Sequence, residues 1–155
     1  MKKMLFLLVA ICSALMLDAQ VTIQNGLYVD ASGNIFTGQY EQLYANGAKK
    51  AQINVIKGKA DGYAVYFYES GAKMEAGRFL DGLREGLWEN WSENGIKTGE
   101  ANYKAGQKNG TWIVWDEQGN KRMEMEYTNG VKTGTWRMWD EKGIQTGERT
   151  YSEAQ

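Results

Sequence analysis

Three glutamates that recur at one spacing are the residues of this chain best suited to acid–base chemistry. Glu100, Glu124 and Glu148 lie 24 residues apart, and two carboxylates are the usual machinery for hydrolysing a glycosidic bond. A catalytic pair needs two different environments, one that keeps its carboxyl protonated and one that keeps it ionised. Glutamates at the same place in successive copies of a repeat have similar environments. We therefore expect them to bind lysine or arginine on neighbouring strands, and we predict that the protein is not an enzyme.

Other groups that catalyse reactions or bind metals are scarce. The sequence has no histidine, no proline and a single cysteine, Cys12. After residue 19 this composition excludes metal sites built on imidazole or thiolate, Ser–His and Cys–His nucleophile pairs, and disulfides. The net charge is −1, and lysine and glutamate are interspersed, so there is no basic stripe for nucleic acid. We predict no catalytic residue, no cofactor, no metal and no nucleic-acid partner.

Aromatic residues recur at the same spacing as the glutamates. Trp88, Trp112 and Trp136 are 24 residues apart, Tyr40 holds the same place in the first copy, and a second aromatic follows each tryptophan by three residues. Side chains alternate along a regular strand, so residues three apart point to opposite faces of a sheet. The two sets of rings are therefore predicted to lie on opposite faces.

The loop length decides which residues join each set. With a three-residue loop, Trp91 pairs with Lys97, and a regular ladder then pairs Leu87 with Ala101, which places Trp91, Ala101 and Tyr103 on the apolar face. A loop one residue different exchanges the assignments. The other face is the candidate ligand or partner face, and it consists of Tyr40, Trp88, Trp112, Trp136, Glu100, Glu124 and Glu148.

Two interpretations of this face are open. In one, the flat rings and flanking carboxylates bind an extended ligand such as a glycan or a peptide strand. In the other, the rings pack against lysine, arginine and glutamate side chains and stiffen a sheet that has no second layer. We favour the second interpretation, because a binding site requires a contiguous exposed apolar patch.

The 24-residue period predicts the fold. Five copies follow one another without insertion, and each contains two short runs rich in aromatic and β-branched residues, bounded by glycine-containing turns such as Asn94-Gly95. Each copy is therefore one β-hairpin. A single hairpin buries too little surface to offset its conformational entropy. We predict an all-β, elongated, single-layer antiparallel meander of about ten strands, built from five stacked hairpins.

The ends of the chain predict two further segments. Lys2 and Lys3 precede an apolar run over residues 4–17, which is typical of a secretory signal peptide, here predicted over residues 1–19 and followed by an exported protein, periplasmic or extracellular. The run is too short to predict a membrane anchor after cleavage. Residues 20–37 are predicted to form an N-terminal capping hairpin, and residues 38–155 the five repeats.

The repeat resembles a known family. The order Asn-Gly, Lys, Glu and Tyr, followed by Gly, a variable pair, Gly and an aromatic strand, is similar to the variant MORN repeat of bacterial proteins in the group called YwqK-type antitoxins. The lead-in over residues 33–38 is similar to the entry of that group, with Asn34 and Ile35 replacing its usual Lys and Pro. The resemblance covers residues 27–151, and it implies a β-repeat protein and an antitoxin-like role.

We predict an exported, non-catalytic β-repeat scaffold that mediates protein–protein interaction. One alternative is glycan or cell-wall binding through an exposed aromatic ladder, with polysaccharide as the partner. Another is the antitoxin or immunity-like role, which only the family resemblance implies.

Overall fold

The computed structural model describes residues 21–152, and within that range the chain forms twelve β-strands and no helix. The predicted signal peptide, residues 1–19, lies outside the described residues. In chain order the strands are β1 (Thr22–Gln24), β2 (Leu27–Val29), β3 (Gly38–Leu43), β4 (Lys49–Ile56), β5 (Lys59–Phe67), β6 (Lys73–Leu80), β7 (Leu83–Trp91), β8 (Lys97–Lys104), β9 (Gln107–Trp115), β10 (Lys121–Thr128), β11 (Val131–Trp139) and β12 (Gln145–Tyr151).

Strands β3 to β12 form one antiparallel sheet in which each strand pairs with the next in sequence. The sheet does not close, so β3 and β12 are its two edges. Each predicted repeat is one hairpin of this meander, and the all-β, single-layer prediction is confirmed. Short connections and local pairing explain why a fixed repeat builds such a sheet.

Two kinds of turn alternate along the meander. Within a repeat, a five-residue turn such as 92–96 closes with Gly95 N–H donating to the Ser92 carbonyl at 2.9 Å, and Gly95 has a φ of 79°. Between repeats, a two-residue turn has positive φ at both positions, as at Asp81 (51°) and Gly82 (84°). Such turns match the right-handed twist of the strands that they join.

Each of the five repeat hairpins contains one extra residue in its second strand, next to the five-residue turn. Asn90 pairs with Gly99 and Trp91 pairs with Lys97, so Thr98 has no partner on β7. The same shift occurs in all five hairpins, at Lys50, Met74, Thr98, Arg122 and Thr146. A bulge of this kind moves every later residue of the strand to the opposite face.

The N-terminal segment stands beside the first repeat. β1 and β2 form a separate two-stranded sheet, and a single bridge joins Val29 to Ile35 across the turn 30–34. Two backbone bonds tie the segment to the large sheet: Tyr28 N–H donates to the Gly58 carbonyl, and Gly58 N–H donates to the Phe36 carbonyl, both at 2.8 Å.

Candidate functional site: the two faces of the sheet

One face of the sheet holds nearly all of its buried side chains, and we call it the ring face. It carries the predicted rings of Tyr40, Trp88, Trp112 and Trp136, because Trp88 pairs with Ala101, Trp112 with Met125 and Trp136 with Arg149. Directly paired residues in antiparallel strands point to the same side. The buried residues on this face are Ala51, Ile53, Val55, Ala60, Ala64, Trp88, Ala101, Met125 and Tyr127.

Trp88 is the most completely covered large side chain, with 0% of its surface exposed. Its indole lies flat on Gly77, where any side chain would overlap the ring. The indole N–H donates to the Arg78 carbonyl at 3.0 Å. The bond is possible because β7 bulges at Gly86, which has a φ of 68°, and the ring folds back over the preceding strand.

The same arrangement repeats along the ring face. The indole of Trp112 donates to the Asn102 carbonyl at 2.9 Å, and that of Trp136 donates to the Glu126 carbonyl at 3.0 Å. Both rings are partly buried. Each tryptophan therefore uses its only polar group to bind the chain's own backbone.

Tyrosines alternate with these tryptophans in a continuous stack. Trp112 lies between Tyr103 and Tyr127, with ring centroids 5.2 and 5.4 Å away. Trp136 lies between Tyr127 and Tyr151, at 5.2 and 4.9 Å. Tilted and edge-on aromatic pairs at these distances are favourable beyond the area that they bury.

A cation covers the outer side of each tryptophan. Arg84 lies 4.0 Å from the Trp88 ring centre, Lys108 lies 4.1 Å from that of Trp112, and Lys132 lies 4.6 Å from that of Trp136. These residues are also 24 apart in sequence. The rings thus pack against basic side chains, which is the structural interpretation of the repeated aromatics.

Arg84 is held further by a bidentate ion pair. Its two terminal nitrogens donate to the two carboxylate oxygens of Glu75 at 2.7 and 2.8 Å. Burial lowers the pKa of Arg84, but the bonds to Glu75 outweigh it and hold the pKa above its ordinary value. The guanidinium is therefore fixed over Trp88 as a permanent charge.

The opposite side carries the recurrent glutamates, and we call it the ion-pair face. Glu100 pairs with Glu89 and Ile113, and Glu124 and Glu148 both pair with Arg137. The prediction that the tryptophans and these glutamates share one face is therefore wrong. Tyr40, Trp88, Trp112 and Trp136 lie on the ring face, and Glu100, Glu124 and Glu148 lie on the ion-pair face.

The bulge beside the first turn causes this error. The predicted pairing of Trp91 with Lys97 is correct, but the unpaired Thr98 shifts β8 by one residue. Ala101 therefore faces Trp88 instead of Leu87. Trp91 still shares a face with Leu87, whereas Ala101 and Tyr103 are on the other side.

Each recurrent glutamate is bound by a cation, but only Arg137 lies on a neighbouring strand as predicted, since Lys97 and Lys121 lie on the same strands as Glu100 and Glu124. Glu100 accepts from Lys97 at 2.9 Å, Glu124 accepts from Lys121 at 2.6 Å, and Arg137 lies between Glu124 and Glu148 at 3.4 and 3.6 Å. The bond from Lys121 is the main cause that lowers the pKa of Glu124 below its ordinary value. A carboxyl held ionised in this way is a poor general acid.

Residues 84–105 and 108–129 match the MORN repeat variant. Each matched segment begins at the second residue of β7 or β9, covers the rest of the hairpin β7–β8 or β9–β10, and ends at the first residue of the turn that follows. MORN repeats are non-enzymatic motifs of protein and membrane interaction. Among curated proteins, none matches the sequence.

Within residues 21–152, no group of three or more Asp, Glu, Cys or His is placed to hold a metal ion. The same part of the chain contains no helix of the length and apolar character that a membrane crossing needs.

An apolar patch on the ion-pair face was missed by the sequence reasoning. Tyr63 is 66% exposed and Leu87 is 44% exposed, and both line a shallow depression of about 240 Å³ beside Ala76 and Arg78. These two side chains occupy the same place in successive copies of the 24-residue repeat, which Thr111 and Thr135 hold in the next two. That difference between copies is the signal that could have identified the patch.

Proposed function

We propose that the protein is an exported, non-catalytic repeat scaffold that binds another protein through the ion-pair face. The observation that carries the proposal is the exposed Tyr63–Leu87 patch. Exposed aromatic and aliphatic side chains beside a depression are typical of the central contacts of protein interfaces. The MORN repeat match supports a role in interaction.

The charges around the patch favour a protein partner over an apolar ligand. Arg78 lies 5.8 Å from the Tyr63 ring centre, and Glu89 on the same rim is bound by Lys97. Protein–protein interfaces typically have an apolar centre and a polar rim. The patch has the same arrangement. The 240 Å³ depression is also below the usual size of a small-molecule pocket.

The glycan alternative has less support. It required exposed rings on one face beside carboxylates, but Trp88 is fully buried and cations cover Trp88, Trp112 and Trp136. The glutamates that would flank a sugar lie on the other face. We therefore expect polysaccharides to leave the tryptophan emission spectrum unchanged.

A photo-crosslinking experiment tests the proposed surface. A photoreactive amino acid is placed at Tyr63 in one variant and at Glu117, an exposed turn residue, in a control, and both are expressed in the native host. We expect a defined protein adduct from position 63 alone. A Tyr63→Glu substitution should abolish capture by a crosslinker at Leu87. Identical adducts from both positions, or none from folded protein, would contradict the proposal.

Export and an antitoxin-like role are separate hypotheses. Export is supported by Lys2, Lys3 and the apolar run 4–17, and we expect the mature N-terminus near residue 20 in the envelope or medium. The antitoxin-like role is supported by the family resemblance alone. Its test is rescue: co-expression should protect cells from a toxin encoded by an adjacent gene, and failure to protect would reject it.

A further inference from the structure

The segment before the first repeat reproduces the contacts that neighbouring repeats make with each other. Tyr28 meets the ring of Tyr40 edge-on, with centroids 5.0 Å apart and an interplanar angle of 60°. Tyr103 meets Trp112 with nearly the same geometry, 5.2 Å and 61°. Tyr40 and Trp112 hold the same place in their repeats, so Tyr28 takes the position of the tyrosine that ends a preceding repeat.

Backbone bonds extend the first repeat back to Phe36 and join it to the hairpin. Gly58 N–H donates to the carbonyl of Phe36, 22 residues earlier, at 2.8 Å, and Gly82, Gly106 and Gly130 make the equivalent bond within their own repeats at 2.8 to 2.9 Å. Phe36 therefore holds the place that Lys108 has in β9. Lys108 pairs with Tyr103 of the preceding repeat, and Phe36 N–H donates to the Tyr28 carbonyl at 3.0 Å. Tyr28 thus lies against the first repeat where the end of a preceding repeat would lie.

The other end of the sheet carries the groups that this hairpin imitates. β12 is the second strand of the last repeat, and its Tyr151 corresponds to Tyr103. If β12 of one molecule paired with β3 of another in the register that β8 has with β9, equivalent residues of the repeat would meet. This register would bring Arg149 opposite Tyr40 and Tyr151 opposite Phe36, which is where Tyr28 is bound.

We infer that β12 of one copy fits β3 of a second copy, and that the hairpin 21–36 blocks this head-to-tail contact. A head-to-tail contact between identical chains continues indefinitely unless it closes into a ring. Terminal units that mimic a neighbour end such a stack. The inference does not depend on the partner proposed for the ion-pair face.

Charge at the junction is compatible with the contact. Glu148 would lie opposite Glu41, and each already lies beside a cation, Arg137 at 3.6 Å from Glu148 and Lys49 at 2.8 Å from Glu41. The interior of the sheet holds the same combination, because Glu89 pairs directly with Glu100 and Lys97 binds both.

The test displaces the hairpin from the sheet by a substitution in the full chain. Association is then measured by sedimentation velocity over a wide range of concentrations. Val29, in β2 of the hairpin, is 5% exposed, so Val29→Lys should release the hairpin from the sheet. Ile23, in β1 of the same hairpin, is 58% exposed, and Ile23→Lys is therefore the matched control. We expect oligomers that grow with concentration for Val29→Lys only. If Val29→Lys loses its strand circular dichroism, Tyr28→Ala replaces it as the milder variant.

Second substitutions identify the strand that docks. In the released chain, Glu148→Lys should strengthen association roughly two- to five-fold, because it replaces a like-charge pair with Glu41 by an opposite-charge pair. Glu141→Lys makes the same charge change in the preceding turn and should have no such effect. A folded, monomeric Val29→Lys chain, or association that responds equally to both lysines, would overturn the inference.

Discussion

The indole of Trp88 covers Gly77 so closely that no side chain fits at that position. Gly77 has no positive φ, so its backbone conformation is open to any residue. The glycine is required only by the space that the indole occupies. This contact fixes the most deeply buried ring of the sheet, and with it the identity of the ring face.

Gly77→Ala should therefore destabilise the protein. The added methyl must displace a buried indole, and we expect a loss of about 1–3 kcal/mol in the free energy of unfolding by urea. Gly99→Ala is the matched control, because its methyl would approach only the Asn90 side chain, at 3.4 Å. Equal losses in the two variants would show that the Trp88 contact is not tight.

Replacing Trp88 by phenylalanine tests the indole hydrogen bond. The variant leaves the Arg78 carbonyl without its donor in a covered position, and we expect a cost of about 1–3 kcal/mol. Trp136→Phe removes the equivalent bond to Glu126 at a more exposed site. Its cost should be smaller, since water can replace the indole there. The reverse order in thermal unfolding would contradict the burial gradient.

The turn between β8 and β9 is open to stabilisation. Ala105 has a φ of 47°, a left-handed conformation that disfavours alanine, whereas Asn129 holds the equivalent place at 49°. Ala105→Asn should raise the free energy of unfolding by roughly 0.5–1 kcal/mol. Asn129→Ala should lower it by a similar amount. The prediction is wrong if both substitutions act in the same direction.

The ion pair at Glu124 predicts part of the acid sensitivity. Because Lys121 first and Arg137 next hold the pKa of Glu124 below its ordinary value in the folded protein, its contribution is complete above the unfolded-state pKa. It is lost as the pH falls through the lower folded-state pKa. Glu124→Gln should therefore make stability fall less steeply in acid, whereas Glu141→Gln, in an exposed turn, should not. Unchanged acid titration curves in both variants would refute this.

The fold could be predicted because the same pattern of strands and turns recurs in five copies. The turn glycines and the paired aromatic runs agree in every copy, so local turn chemistry and strand pattern lead to one meander. Four of the glycines that open the copies, Gly62, Gly86, Gly110 and Gly134, share positive φ values of 62–99°. Such agreement leaves little freedom in topology.

The composition of the faces could not be predicted by the same means. It depended on one unpaired residue, Thr98, and any residue type can occupy a bulge of this kind. A second bulge at Gly86 then lets Trp88 fold back across β6. The period, which is the strongest signal in the sequence, carries no information about this register, because every copy contains the same shift.

The lysines before the glutamates illustrate the same limit. Lys49, Lys73, Lys97 and Lys121 are 24 residues apart in sequence, but Lys97 binds Glu89 and Glu100, whereas Lys73 lies 4.0 Å from the Trp91 ring centre. Their sequence spacing is uniform, whereas their partners differ because the residues across the sheet differ.

The central claim is that the ring face holds the buried core of this one-layer sheet. Hydrogen exchange of the six indole N–H groups tests this claim most directly. In nuclear magnetic resonance spectra assigned by single Trp→Phe variants, the indoles of Trp88, Trp112 and Trp136 should exchange slowly with solvent, Trp88 slowest. Those of Trp91, Trp115 and Trp139, on the ion-pair face, should exchange fast. Slow exchange in the second set with fast exchange in the first would contradict the account.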